Sequence, residues 1–228
     1  MPITAPNAAT STHDETRNAA TIYAYSHSSA SSLHNAFMAV WTARGAARGA
    51  TTDSEQDLLR AMLVMACAGL DATIKQLIKD GLLSLANRHS GVQKEFKKFL
   101  IRKIKGGDEA SVSPGGAAFL ASMIAAPNSQ VQAISEYVYD LTGESLQSHE
   151  QVLKAAAALG IAQNALEINP QTLKDVFAIR NKVIHELDID LAGARRRRNI
   201  RREEDMLEFT DEILRISRSF VGAVDALL

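Results

Sequence analysis

Residues 169–191 read NPQTLKDVFAIRNKVIHELDIDL, and the rest of the chain is organised around this run. The short polar side chain of Asn169 suits a helix cap. Pro170 suits the first helical position, where its fixed φ is already helical and its missing N–H has no partner to lose. Leu173, Val176, Phe177 and Ile184 recur at helical spacing and are expected to face a core. On that helix Asn181 and His185 are four residues apart, one turn apart on the same face. The long side chain of the neighbouring Arg180 reaches around to them. A guanidinium, an amide and an imidazole meeting at one spot can bind a phosphodiester and move a proton.

Outward from this run the same periodicity continues. Residues 201–228 carry Met206, Phe209, Ile213, Ile216, Phe220, Val224 and Leu227 at three- and four-residue steps, an amphipathic helix. Towards the N-terminus, Ser148 with Gln151 caps a helix that stops at Gly160, and another spans about 128–141. A third runs from about Gly116 to Ala125, after a loop read from GGDEASVSPGG that includes Pro114. A long helix begins near a Ser54–Asp57 capping pair, with Leu59, Met62, Leu63, Ala66, Leu70, Ile74, Leu77 and Ile78 as its buried stripe. The stretch GVQKEFKKFLIRKI follows as a helix with a basic outer side. A short helix over about 31–44 presents Leu33, Phe37, Val40 and Trp41, and RGAARGA breaks it. Residues 1–28 are polar and rich in Thr, Ser, Ala and Asn. They are expected to form a mobile tail with a helical end near Ile22 to Tyr25. Residues 29–228 then make a single helical domain.

Composition agrees with an all-α chain. The 228 residues are 46% hydrophobic and only 5% aromatic, a bias towards helix formers, and no strand pattern of credible length appears. The net charge of −1 points to no polyanionic partner for the molecule as a whole, so any nucleic-acid surface is local. The lone Cys67 excludes an intrachain disulfide, and its apolar setting marks an inert buried thiol. No apolar stretch reaches the roughly 18 residues of a spanning helix, and the start of the chain lacks a charged-then-apolar leader pattern. A reducing cytoplasm and no membrane partner are expected.

The Arg180, Asn181, His185 pattern resembles the signature of the HEPN superfamily, in which Arg, often followed by Asn, precedes His by four to six residues. The continuation HELDIDL, the arginine run after it and the final amphipathic helix also resemble one prokaryotic branch. The good match covers roughly the last 60 residues. The resemblance implies an all-α, HEPN-like helical bundle with additional inserted helices. It also implies a metal-independent ribonuclease of the toxin or phage-defence kind, working as a symmetric homodimer, with an antitoxin or regulatory protein as a further partner. In that reading His185 takes the proton from a ribose 2′-hydroxyl or returns one to the leaving oxygen. Arg180 offers its fork of donors to the scissile phosphate, and Asn181 holds the imidazole or the phosphate in place. The nucleophile comes from the RNA itself, so no cofactor or metal is expected. Asp71, the one acidic residue in the apolar part of the long helix, matches the acidic residue that some members bring to the Arg/His pair.

Other chemistry has weaker support in the sequence. His185 with Asp188, near Glu186 and Asp190, suggests a cation site, but these side chains do not share a face and three or four convergent ligands are needed. Their bland reading is that the carboxylates are solvated or pair with the arginines just after them. Arg195, Arg196, Arg197, Arg198, Arg201 and Arg202 form the strongest local charge, read either as a phosphate-tracking patch or as a connection neutralised by Glu203, Glu204 and Asp205. Lys94, Lys97, Lys98, Arg102, Lys103 and Lys105 make a second basic face. The alternative to an enzyme is a non-catalytic helical module that binds a nucleotide, RNA or a partner protein through the same cleft.

Overall fold

The structure, a computed structural model, describes residues 2–45, 50–105, 111–166, 168–193 and 196–228. Its described elements are α1 (Asp14–Ala43), α2 (Asp53–Arg88), α3 (Ser90–Lys105), α4 (Pro114–Ala125), α5 (Ser129–Thr142), α6 (His149–Ala158), α7 (Pro170–Glu186) and α8 (Glu203–Asp225). A 3-10 turn at Gln163–Ala165 precedes α7, and the one extended pairing among the described residues is an isolated bridge between Ile189 and Arg198. The expected all-α class holds.

α2 is the axis of the bundle. α1 runs along it and α8 packs across both, while α3, α5 and α7 take its remaining sides. Every residue of its expected stripe, from Leu59 to Ile78, is buried. Each of its Leu, Met and Ile side chains contributes roughly 1.5–3 kcal/mol of transfer free energy, enough to make this helix the centre of the core. By length and composition α2 would suit a membrane crossing, yet more than half of its apolar window is buried inside the bundle. Gly69 lets α1 come close, since a Cβ there would meet the Ser26 hydroxyl at 1.9 Å. The cap lies two residues before the expected one: Thr52 Oγ1 accepts from the Glu55 N–H at 3.3 Å, and the Glu55 carboxylate accepts from the Thr52 N–H at 2.7 Å. Glu55 wins over Asp57 because it is fully buried and also receives Arg44 at 2.8 Å.

The largest correction concerns the tail expected over residues 1–28, whose described residues, 2–28, are held against the bundle. α1 begins at Asp14 and buries Ala19, Tyr23 and Ala30 completely. Ahead of it the chain is strapped along α8. Thr4 donates its N–H and hydroxyl to Asp211 at 2.9 and 2.6 Å. Thr12 and Thr16 donate their hydroxyls to Asp225 at 2.8 and 2.7 Å, and the His13 N–H reaches the same carboxylate at 3.0 Å. The segment reads as polar because its partners are two carboxylates some 200 residues away, and its apolar contacts are made mostly by alanines. Pro114 is a second correction. It starts α4 behind the Ser113 cap instead of lying in a loop. Residues 106–110 of that expected loop, and 46–49 of the RGAARGA break, lie outside the described residues.

α7 is held as expected at its first turn, where Asn169 Oδ1 accepts from the N–H groups of Gln171 and Thr172 at 3.0 and 3.2 Å. Leu173, Val176 and Phe177 are buried. Ile184 is not: it is 41% exposed, because the second half of α7 projects beyond the apolar packing.

Candidate functional site: the end of α7

The polar turn of α7 faces away from the core. Arg180 is half-buried over α2, and its Nη1 donates to Asn181 Oδ1 at 2.9 Å. Its charge is felt by the buried Cys67: burial pushes that thiol up to about 12, and the Arg180 guanidinium pulls it the other way. The thiol therefore stays protonated and inert at neutral pH. The amide of Asn181 points at the Gln147 carbonyl at 3.5 Å, in the loop that leads into α6. His185, one turn further on, is exposed. Arg180 and Asn181 are thus brought together by a hydrogen bond, while His185 stands in solvent beside them.

Asp71 does not reach either the guanidinium or the imidazole. It accepts the Leu146 N–H at 2.8 Å and pairs with Lys75 at 3.0 Å. It anchors the loop whose next residue, Gln147, meets Asn181. His149 begins α6 two residues beyond Gln147. This second histidine comes near the motif only through the fold.

Just past His185 the backbone makes an unusual turn. Leu187 has φ 50° and ψ 29°, and Asp188 has φ 58°. Both lie in the left-handed region, which costs an L-residue roughly 1–2 kcal/mol. The Asp188 N–H reaches back to the Lys182 carbonyl at 2.9 Å and closes the helix. Asp188 itself is fully buried. Its Oδ2 accepts Arg60 Nε and Arg201 Nε, both at 3.0 Å, and its Oδ1 accepts Arg201 Nη2 at 2.5 Å and Asn199 Nδ2 at 3.0 Å. Burial alone would raise the carboxyl's pKa, but the hydrogen bonds from Arg201, Arg60 and Asn199 outweigh it and hold it below the ordinary carboxylate value. The cation site considered from sequence is therefore not formed: Asp188 lies beneath the surface under two guanidinium groups, whereas His185 is on it. Among the described residues no group of three or more His, Cys, Asp or Glu side chains is arranged to hold a metal.

The arginine run divides by direction. Arg198 donates to Asp57 at 3.1 Å and to the Leu187 carbonyl at 3.1 Å, so it joins Arg201 in internal pairing. For these two the expected phosphate contact gives way to carboxylates of the same chain, a half-exposed Asp57 and a fully buried Asp188. Arg196 and Arg197 are exposed, and the Arg202 side chain is 72% exposed with Glu204 at 3.6 Å. Arg195 lies outside the described residues. Arg197 and Arg198 border a cavity of about 410 Å³ with Thr51, Asp53, Gln56 and Arg60. On the second basic face, Arg102 pairs with Asp140 at 2.8 Å and Lys98 with Glu95 at 2.7 Å, while Lys94 and Lys97 are exposed. Neither Arg60 nor Asn199 was identified from sequence. Arg60 sits on a buried stripe and Asn199 in a charged connection, so neither carries a local signal.

An all-helical bundle that presents an Arg-Asn turn and an exposed histidine at the end of a late helix has the layout of a HEPN-type module. A family profile described as RiboL-PSP-HEPN matches residues 44–226, and the chain belongs to that family within the HEPN superfamily. α1 precedes the matched span entirely. No curated protein and no solved structure matches the chain.

Proposed function

We propose that this protein is a metal-independent endoribonuclease that cleaves RNA through the ribose 2′-hydroxyl. The observation that carries the reading is the polar turn of α7: an exposed His185 beside an Arg180 already held by Asn181, on a chain of HEPN family. His185 moves the proton of the 2′-hydroxyl or of the leaving oxygen. Arg180 meets the charge that builds on the phosphate, and Asn181 holds the guanidinium in place. Asp71 acts at one remove, by fixing the loop that meets Asn181. Arg196, Arg197 and Arg202 offer phosphate contacts beside the cleavage point. The biological setting that fits is a cytoplasmic toxin or phage-defence effector held in check by an antitoxin or regulatory protein.

Cleavage needs both a base and an acid, and the motif supplies one imidazole per chain. A symmetric homodimer with the α7 ends at its two-fold axis supplies the second. The exposed Ile184, Leu187, Leu191 and Ile200 around His185 would be covered by such pairing. Sedimentation at working concentration should give twice the chain mass, and dilution into monomer should abolish turnover. A monomer with full activity per chain would rule the pairing out.

The direct test is purified protein with total RNA in EDTA. Wild type should leave 2′,3′-cyclic phosphate ends, and His185→Ala should keep its helical circular dichroism and cut nothing. Equal cutting by both proteins would sink the assignment. RNA binding without cutting by wild type would favour the non-catalytic module instead.

A further inference from the structure

His185 has no restraint of its own side chain among the described residues, so the backbone beneath it is what aims the imidazole. That backbone ends two residues later in a pair of left-handed residues, Leu187 and Asp188. Two consecutive L-residues hold that conformation only where the surroundings over-determine it. Here they do. The Leu187 carbonyl accepts Arg198 Nε at 3.1 Å, and the Asp188 carbonyl accepts the Asn199 N–H at 2.8 Å and Asn199 Nδ2 at 2.9 Å. The Asp188 carboxylate is gripped by Arg60 and Arg201. Arg60 is only 3% exposed and stands on α2, the most deeply packed element of the bundle. Its Nη2 also donates to the Asn199 carbonyl at 2.6 Å. Arg201 is fixed in turn by Gln56, which accepts its N–H at 2.7 Å and donates to its carbonyl at 2.8 Å.

We propose that Asp188, clamped by Arg60 and Arg201, is the positioning residue of this site: it fixes where α7 stops and therefore where the His185 imidazole stands relative to Arg180. The role rests on the ribonuclease reading, but the clamp itself does not depend on it. A buried ion pair is a poor way to gain stability, because desolvation takes back most of what the attraction gives. Its directionality is what an apolar residue would lack. Four charge-assisted hydrogen bonds hold one carboxylate in one orientation, and through it a helix end that would otherwise fray. The same clamp fixes the base of the turn between Ile189 and Arg198, so it also sets the spacing between His185 and the exposed Arg196 and Arg197.

The test compares Asp188→Asn and Arg201→Gln with wild type by two measurements. In single-turnover cleavage both variants should lose about 10–100-fold in rate, the size expected for a catalytic group misplaced by about an ångström, with RNA affinity changed less than about threefold. Arg201→Lys should recover part of the loss. In proton NMR the His185 ring resonance, assigned by its absence in His185→Ala, should shift or broaden in Asp188→Asn and Arg201→Gln while the other five histidines keep theirs. An unchanged rate in a folded variant, a loss confined to affinity, or an unmoved His185 resonance overturns the proposal. If Asp188→Asn does not fold, Arg201→Gln carries the test, since Arg201 is 20% exposed and leaves the Arg60 pair in place. If wild type cuts no RNA, the ribonuclease reading fails, and the His185 resonance alone decides whether the clamp aims the ring.

Discussion

Two adjoining turns of the chain treat charge in opposite ways. At 180–185 the polar side chains are spread at the surface: one hydrogen bond links Arg180 to Asn181, and His185 is exposed. Around Asp188 the charge is buried and saturated: its carboxylate is out of reach of solvent and bonded to two guanidiniums and an amide. Chemistry needs groups whose hydrogen-bonding capacity is left open for a substrate. Fixing such groups in space needs neighbours whose capacity is already used. The structure sets the two beside each other, so the open turn stands on the closed one.

This contrast is sharpest in stability. Asp188→Ala leaves two arginines facing an empty buried site and should cost about 3–5 kcal/mol, read as a lower urea midpoint. The dependence on acid gives the sign. The folded pKa of Asp188 lies below its ordinary value of 3.8. Its stabilisation is therefore complete above about pH 4 and is lost as the pH falls through the folded value. Urea midpoints measured downwards from pH 5 should fall for wild type and fall less for Asp188→Asn. Equal acid limbs would mean that the clamp is not what distinguishes this turn.

A smaller effect of opposite sign should follow from Leu187→Gly. Glycine adopts the left-handed region freely, and the Leu187 side chain is 64% exposed, so little packing is lost. The expected gain is about 0.5–1 kcal/mol after the added chain entropy of glycine. A loss of stability would show that the turn is not strained. Smallest of all, His185→Ala should leave the urea midpoint within about 0.5 kcal/mol of wild type while removing cleavage. A marked destabilisation would place His185 among the packed groups and erase the contrast.

Much of this was legible in the chain itself. The Asn169-Pro170 start of α7, the Ser148–Gln151 cap of α6 and the buried stripe of α2 all follow from local rules, since capping and helical periodicity involve residues three or four apart. The placing of Asn181 and His185 one turn apart on α7 follows from the same spacing, whereas the hydrogen bond from Arg180 to its neighbour Asn181 does not. Residues 2–28 look like a tail in the sequence because most of their core contacts are alanines, with Tyr23 the one large buried side chain, and because Asp225, which accepts the His13 N–H and the Thr16 hydroxyl, comes from the far end of the chain.

The sequence by itself determined the helical class, the order of the later helices and the presence of a polar turn on α7, because each is a matter of spacing along one segment. Only the tertiary structure decided which arginines face outward. Arg198 and Arg201 sit in the same run as Arg196 and Arg197, yet they turn inward because Asp57 and Asp188 wait there. It also decided that Asp71 holds a loop and not the imidazole, and that Arg60, 128 positions before Asp188, closes the clamp beneath His185. A buried charge is stable only beside its counter-charge, and which residue supplies it is settled when distant segments pack.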